Sequence, residues 1–233
     1  MLKTISPIDN SLYSEIPYAS DSTIENTLTS SHKAKTTWKN TSLQERKKLI
    51  VKFVDCFLSN SKEIEEELSR QMGRPISQCA GELRGFEERA KYMINNAERA
   101  LDKVISKNDN EFDNYVSKDP LGTIFVIAPW NYPYNTSVNS IVPSLLAGNC
   151  VILKLSSQTP LCAEQLLKAA KKSGIPESVF QILHLDHVST SKIISDHRIN
   201  HVLFTGSVSG GREVKKAIGT RFIGAGLELG GKD

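Results

Sequence analysis

The sequence predicts an α/β fold in which a doubly wound, mostly parallel five-stranded sheet follows an N-terminal helical region. Between residues 1 and 113, apolar residues recur three and four positions apart, the spacing of amphipathic helices. Between residues 114 and 233, five short runs rich in β-branched residues alternate with helix-like stretches. Strands and helices that alternate in this way form parallel sheets covered on both faces. We therefore place the boundary between the helical part and the sheet at residues 113 and 114.

The helical part contains four predicted helices. The polar N-terminus predicts an extended entry strand or loop followed by a short helix over residues 22–39. A second helix begins at the capping box of residues 42–45, after which apolar residues recur three and four positions apart. The third helix is expected over about residues 60–73 and the fourth over about residues 81–101. The polar, charged residues 103–113 predict a linker or an exposed turn.

Five apolar runs in the second part predict the strands, and residues 162–173 and 211–218 are the clearest helices between them. The strands are predicted at Gly122–Ala128, Cys150–Lys154, Val179–Leu183, His201–Thr205 and Ala225–Leu229. Crossovers between parallel strands are expected to be right-handed. Doubly wound sheets bind their ligands at the edge where the carboxyl ends of the strands lie.

Composition and charge exclude several classes of function. Apolar residues make up 39% and charged residues 24%, as in soluble globular proteins, and the net charge of +3 comes without basic runs that bind nucleic acid. The longest apolar stretch, residues 141–153, is too short and too polar to span a membrane, and the N-terminus lacks a secretory signal. The four cysteines form no C-x-x-C pair, and His184 and His187 indicate a polar loop rather than a metal site. We expect a cytoplasmic protein with free thiols and no metal, nucleic-acid or membrane partner.

Five sequence signatures carry the candidate functional residues, and four of them lie where a predicted strand ends. They are Ala128–Pro133, Leu153–Pro160, Gly174–Pro176, Phe204–Gly211 and Leu227–Lys232. Each has an ordinary structural interpretation when it is taken singly. Their joint order and their position at strand ends are far more specific.

Two signatures contain groups that interact with anions. The turn Gly206–Gly211 opens a helix whose amides can hold a phosphate, although a tight turn needs glycine in any case. It does not match the G-x-G-x-x-G fingerprint of dinucleotide sites. The Asn131 side chain can donate to an oxyanion, although an asparagine before Tyr-Pro is more often a turn residue.

Two charged residues lie on predicted strands. Lys154 either reaches ribose hydroxyls or is simply solvated. Glu228 lies in an apolar run, where burial would raise the pKa of its carboxyl group and suit it to general-base chemistry. The alternative for Glu228 is an ion pair with a neighbouring cation.

Together and in this order, the signatures resemble the aldehyde dehydrogenase superfamily over nearly the whole chain, most strongly over residues 120–233. Residues 227–233 resemble the glutamate active-site motif of that family, and residues 71–75 are similar to its N-terminal region. The resemblance implies that residues 114–233 form a Rossmann-like dinucleotide-binding core, and that residues 1–113 are the helical part of the same cofactor-binding domain. It also implies NADP or NAD as the cofactor and a small-molecule aldehyde as the substrate.

The resemblance implies two catalytic residues. Asn131 would supply the amide that stabilises the oxyanion, and Glu228 would activate the water that releases the acyl group. The nucleophile of the family is a cysteine in a Gly-Gln-Cys segment, which none of the four cysteines matches. Cys150 and Cys162 are expected to be buried core residues.

The resemblance also implies a cofactor site. In the family, the lysine binds the adenine ribose, the glycine–serine turn contacts the pyrophosphate, and the leucine after the glutamate offers backbone contacts to the nicotinamide amide. The implied cofactor-binding residues are Ala128, Trp130, Lys154, Ser157, Gly206, Ser207, Gly211 and Leu229.

The chain departs from the family's pattern in three places. Many NAD-preferring members have a glutamate where this chain has Ser157, so we expect NADP to be tolerated. Val208 and Ser209 replace the Thr-Glu that usually follows the glycine–serine turn. Residues 184–189 replace a glycine-rich segment, so a reshaped loop is expected on the adenine side.

We therefore expect a chain truncated before the nucleophile, without its catalytic domain. As part of a complete protein it would belong to an aldehyde-oxidising enzyme, and full-length relatives are expected to be homo-oligomers. The alternative is a non-catalytic remnant or dinucleotide-binding module. A gene that continues in frame into a Gly-Gln-Cys segment would favour the enzyme, and a stop codon would favour the remnant.

Overall fold

A parallel five-stranded sheet forms the centre of the protein, whose computed structural model describes residues 1–106 and 112–230. The strands of the described residues are β1 (Leu2–Ile5), β2 (Leu12–Ile16), β3 (Val104–Ile105), β4 (Tyr115–Val116), β5 (Thr123–Ala128), β6 (Cys150–Leu155), β7 (Phe180–Ile182), β8 (His201–Gly206) and β9 (Gly224–Leu229). The helices are α1 (Asp21–Asn40), α2 (Leu43–Leu58), α3 (Ser61–Met72), α4 (Ile76–Leu101), α5 (Pro133–Leu146), α6 (Pro160–Ser173), α7 (His187–Ser195) and α8 (Val208–Ile218).

The sheet has the strand order β7-β6-β5-β8-β9, and every neighbouring pair within it is parallel. The chain enters at the central strand β5, moves outward to β7, and then returns to the other side of β5 for β8 and β9. This reversal opens a crevice beyond the carboxyl ends of β5 and β8, which is where such sheets bind ligands. The predicted α/β fold with its five-stranded sheet is confirmed.

Helices cover both faces of the sheet. On one face, α2 to α6 pack over the central strands with a buried aromatic cluster. Its largest members are Phe53, Phe57, Phe86, Tyr134 and Phe180. On the other face, apolar residues of α1, α7 and α8 pack against Phe125, Ile152 and Val202. Alternate residues of β5 therefore serve two separate cores, which explains why its whole length is apolar.

Local signals set most helix ends. The Ser42 hydroxyl accepts a hydrogen bond from the Glu45 amide at 3.2 Å, as the capping box predicts. Gly73 ends α3 in the left-handed conformation at φ 74°, and Pro75 precedes α4. The predicted third helix is thus confirmed, whereas the fourth begins at Ile76 rather than near residue 81.

Helix α1 spans Asp21–Asn40, which agrees with the predicted bounds of 22–39 to within one residue at each end. Other elements differ from the prediction. Helix α5 contains Pro143, and seven of the nine residues of α7 are serine or β-branched, so neither has the composition of a typical helix. Residues 187–189, expected in a loop, form the first turn of α7 because Asp186 caps it and Ile193 and Ile194 pack in the core.

Two short antiparallel hairpins, β1–β2 and β3–β4, were also not predicted. Strand β3 lies within the polar segment 103–113, which was expected to be a linker or exposed turn. Residues 107–111 of that segment lie outside the described residues.

Candidate cofactor and active site

The turn after β5 presents two of the predicted residues at the crevice. Ala128 ends the strand and is buried, whereas Trp130 is 51% exposed and Asn131 is exposed beside it. The Asn131 side-chain oxygen accepts from the Tyr132 amide at 3.1 Å, and the Asn131 carbonyl accepts from Arg74 at 2.6 Å. The asparagine is a turn residue, but its side-chain NH2 donates no hydrogen bond within the described residues and is free to bind a ligand.

Lys154 lies in a cleft between the sheet and helices α7 and α8. It is the fifth residue of β6, opposite Ile127 of β5. Burial lowers the pKa of the Lys154 ammonium, and no group in the described residues forms a hydrogen bond or ion pair with it. The cleft has a volume of about 460 Å³. Its polar lining consists of Lys154, His187, Thr190, Ser191, Ser207, Ser209 and Glu213.

The glycine-bearing turn forms the other wall of this cleft. Ser207 caps α8, and its hydroxyl accepts from the Gly210 amide at 3.1 Å. A Cβ atom at Gly206 or Gly210 would lie 2.7 or 2.6 Å from the Phe204 ring, so close packing requires glycine at both positions. The packing role of the glycines is thus supported. The start of α8 faces the cleft, and phosphate binding by this turn stays a prediction.

The end of β9 lies against the same turn. Leu229 pairs with Gly206, Glu228 pairs with Thr205, and a Cβ atom at Gly211 would lie 2.5 Å from a Leu229 methyl carbon. Glu228 is exposed and lines a second cleft of about 400 Å³ between β8, β9 and α5. The expected burial of Glu228 is wrong, because β9 is an edge strand and its end is open to solvent. Residues 231–233 of the motif lie outside the described residues.

Ser157 is exposed in the turn between β6 and α6, and its carbonyl accepts from the Thr4 hydroxyl at 3.4 Å. It does not line the Lys154 cleft itself. The carboxyl ends of the parallel strands thus bring together three parts of the site: the turn after β5, the Lys154 cleft with Ser207, and the ends of β8 and β9. Ser157 lies beside the second part rather than within it.

The cysteines are placed as expected. Cys79, Cys150 and Cys162 are buried, and Cys56 is half-buried on α2. Burial raises the pKa of the Cys150 thiol to about 12 and also raises the pKa values of Cys79 and Cys162. These three thiols are therefore poor nucleophiles at neutral pH.

Sequence reasoning missed the residues that α7 contributes to the cleft, namely His187, Thr190 and Ser191. The Asp186 carboxylate caps this helix by accepting a hydrogen bond from the Ser189 amide at 2.7 Å. An aspartate at the N-cap position was therefore the sequence signal that could have predicted the start of α7. The loop expected to be reshaped on the adenine side is instead the start of this helix.

Two searches of the described residues gave negative results. Residues 1–106 and 112–230 contain no group of three or more histidine, cysteine, aspartate or glutamate side chains placed to hold a metal ion. Over the same residues, no helix has both the length and the apolar character that a membrane crossing needs.

This fold, with its crevice, matches one family over the full chain. The model of the aldehyde dehydrogenase family matches residues 1–233, and the chain belongs to that family. It is 29% identical to a 3,6-anhydro-α-L-galactose dehydrogenase of Streptomyces coelicolor, over 99% of this chain and 47% of the relative. It is 30% identical to the succinate semialdehyde dehydrogenase [NAD(P)+] Sad of Escherichia coli, over 99% of this chain and 50% of that protein.

A solved structure shows the same arrangement. PnpE in complex with nicotinamide adenine dinucleotide superposes with a TM-score of 0.92 at 27% identity, over 99% of this chain and 47% of PnpE. The chain spans about half the length of the curated relatives it matches.

Proposed function

We propose that these 233 residues form the NAD(P)-binding half of an aldehyde dehydrogenase, which as a whole protein oxidises a small-molecule aldehyde to a carboxylic acid. The observation that carries the proposal is the Lys154 ammonium, which is partly buried in a cleft and has no partner among the described residues. Buried cations are normally paired, so an unpaired one facing a cleft points to a ligand that supplies the partner. Ribose hydroxyls and phosphates are such partners.

The rest of the cleft suits the same ligand. The start of helix α8 and the Ser207 hydroxyl lie opposite Lys154, and helix amino ends attract phosphates. The volume of about 460 Å³ is within the range of small-molecule sites. The relatives named for NAD(P)+ or solved with a nicotinamide dinucleotide support NAD or NADP as that ligand.

The proposed chemistry uses the other two groups at the sheet edge. A thiolate adds to the aldehyde carbonyl, and the free Asn131 amide stabilises the resulting oxyanion. A nicotinamide dinucleotide would supply the hydride acceptor, and the ends of β8 and β9 would hold its nicotinamide part. Glu228, exposed in its own cleft, takes a proton from the water that hydrolyses the thioester and releases the acid.

These 233 residues alone are proposed to be inactive, since Cys79, Cys150 and Cys162 are buried with raised thiol pKa values and Cys56 lies half-buried on α2. The chain would be mixed with NAD or NADP and a panel of aldehydes, and reduced nicotinamide followed by absorbance. We expect no turnover, since loss of a covalent nucleophile costs several orders of magnitude in rate. Steady turnover that Asn131→Ala or Glu228→Gln abolishes would overturn the proposed inactivity.

The proposal extends to organisation as well. Residues 1–113 are proposed to be the helical part of the cofactor-binding domain and residues 114–233 its Rossmann-like core. Homo-oligomeric assembly of the whole protein and a cytoplasmic location are proposed from the family resemblance and the free cysteines.

The nucleotide site is tested by binding rather than turnover. Titration calorimetry of the 233-residue chain with NAD and with NADP would compare Lys154→Met with Lys52→Met, an exposed lysine on α2 that serves as the control. We expect Lys154→Met to weaken binding about tenfold or more, the usual effect of losing a charged hydrogen bond, and Lys52→Met to change nothing. A wild-type chain that binds neither nucleotide would favour the alternative, a remnant that only packs against a partner.

A further inference from the structure

We infer that Arg74 and Glu82 are positioning residues that hold the Asn131 turn, so that the free amide of Asn131 faces the crevice. Neither residue touches a substrate or a cofactor. Both belong to the helical part of the chain, yet their side chains end at the turn between β5 and α5. The inference rests on the proposed function for the role of Asn131, but the contacts stand independently of it.

Arg74 is held at the junction of α3 and α4. Gly73 ends α3 in the left-handed conformation and Pro75 precedes α4, while the Ser69 hydroxyl donates to the Arg74 carbonyl at 2.7 Å. The backbone of Arg74 is therefore fixed on both sides, and its side chain is only 11% exposed. Because its backbone is fixed, Arg74 can hold the groups that its side chain contacts at a set position relative to α3 and α4.

The Arg74 guanidinium makes three contacts at the turn. One nitrogen donates to the Asn131 carbonyl at 2.6 Å, and another pairs with the Glu82 carboxylate. The guanidinium carbon lies 4.4 Å from the centre of the Tyr132 ring, in cation–π distance. Only a planar fork can make all three contacts at once, so lysine is not equivalent here.

Glu82 holds the other end of the turn. Its side chain is fully buried, and one oxygen accepts from the Tyr134 amide at 2.8 Å and from the Asn135 amide at 3.3 Å. Tyr132, at the N-cap of α5, makes no side-chain cap hydrogen bond, and Pro133 has no amide hydrogen. Glu82 therefore caps α5 from a neighbouring helix, a role that a residue of the turn itself usually fills.

The two anchors decide what Asn131 presents. Its carbonyl is engaged by Arg74 and its side-chain oxygen by the Tyr132 amide, which leaves the side-chain NH2 as the free donor. An oxyanion needs such a donor, held in place before the reaction. Residues 71–75, which resemble the N-terminal region of the family, thereby gain a specific role. The Gly-Arg-Pro junction places the Arg74 guanidinium where it holds the Asn131 turn.

The test is hydrogen exchange by mass spectrometry on the 233-residue chain, with peptides covering residues 129–136. Arg74→Lys keeps a cation beside Glu82 but loses the fork, and Glu82→Gln keeps an acceptor for the α5 amides but loses the charge. We expect both variants to speed exchange in these peptides about tenfold, the effect of losing one charged hydrogen bond, and to leave α6 unchanged. Arg198→Lys is the matched control, because Arg198 is 13% exposed and bridges Glu25 and Asp196 away from the turn.

Full protection of the turn in Arg74→Lys would overturn the inference, since it would show that any cation beside Glu82 suffices. Equal acceleration over the whole chain would also overturn it, since the pair would then stabilise the fold without a local role. The exchange measurement needs no nucleotide. A wild-type chain that binds no NAD or NADP would therefore contradict the proposed function without changing the exchange result.

Discussion

The two halves of the sheet differ sharply in burial. All six residues of β5 are buried, as are five of the six in β6, and helices on both faces cover them. On the other side of β5, only Val202 of β8 is fully buried and β9 has no fully buried residue. The proposed catalytic Glu228 and the nicotinamide-side Leu229 belong to this open half. The buried half therefore contributes most to the stability of the fold, whereas the open half leaves these two proposed functional residues accessible to solvent.

Lys154 is a proposed functional residue on a strand of the buried half. It is the single residue of β6 that is not fully buried, and it opens onto the cleft formed with α7 and α8. A charged group inside the rigid half is held more firmly than one on an exposed loop. This placement suits recognition of one fixed part of a ligand.

The largest loss of stability is expected from a substitution in the closed half, the buried side of the molecule that contains β5, β6 and helices α2 to α6. Phe57 is fully buried, with its ring 4.4 Å from that of Phe86 and 4.9 Å from that of Tyr134. Phe57→Ala should lower the free energy of unfolding by about 3–5 kcal/mol, through lost burial and the cavity it leaves. Urea unfolding would measure this against Phe222→Ala, a fully exposed phenylalanine before β9. Similar losses in both variants would contradict the division into a stabilising and an open half.

Local sequence signals were enough for much of the closed half. The capping box at Ser42, the Gly73 and Pro75 helix boundary, and the apolar runs of β5 and β6 were read correctly from short patterns. Helical stretches were expected between the strands, but α5 and α7 received no predicted bounds because Pro143 and a run of serine, threonine and valine argue against a helix. Packing against the sheet outweighs those local preferences, and a single sequence does not contain that information.

The site was predicted less completely than the fold. The order of the signatures located the sheet edge, because parallel strands place their carboxyl ends together. The exposure of Glu228 was missed, since an apolar run does not reveal that its strand lies at an edge. The contact of Arg74 with Asn131 was missed for a different reason: the two residues are 57 positions apart and only the fold brings them together.

A smaller, pH-dependent loss is expected from the open half. Arg198 donates hydrogen bonds to Asp196 and to Glu25, which joins α1 to the segment before β8 and lowers the pKa values of both carboxyl groups. Carboxyl pKa values lowered by folding stabilise the protein at neutral pH, and this contribution is lost as pH falls below about 4. Arg198→Gln should therefore lower the Tm by a few degrees at pH 7 and progressively less toward pH 3.

Thermal unfolding at several pH values would check this, with Arg212→Gln as the control because Arg212 is exposed on α8. The control should leave the Tm unchanged throughout. A loss in Arg198→Gln that stays constant from pH 7 to pH 3 would show that packing, rather than the two carboxylates, accounts for the role of Arg198.

The smallest effect on stability, combined with a change in ligand preference, is expected at Ser157. This residue is exposed in the turn after β6, three positions beyond Lys154, so Ser157→Glu should alter the free energy of unfolding by less than about 0.5 kcal/mol. A carboxylate there would accept a hydrogen bond from the 2′-hydroxyl of NAD and repel the 2′-phosphate of NADP. The ratio of the NADP and NAD dissociation constants should rise about tenfold, as measured by calorimetry on the wild type and the variant. Ser157→Ala adds no charge and should leave that ratio nearly unchanged. If the wild type prefers NAD clearly and the glutamate leaves the ratio where it was, then the turn after β6 does not reach the ribose, and recognition of the nucleotide lies entirely within the Lys154 cleft.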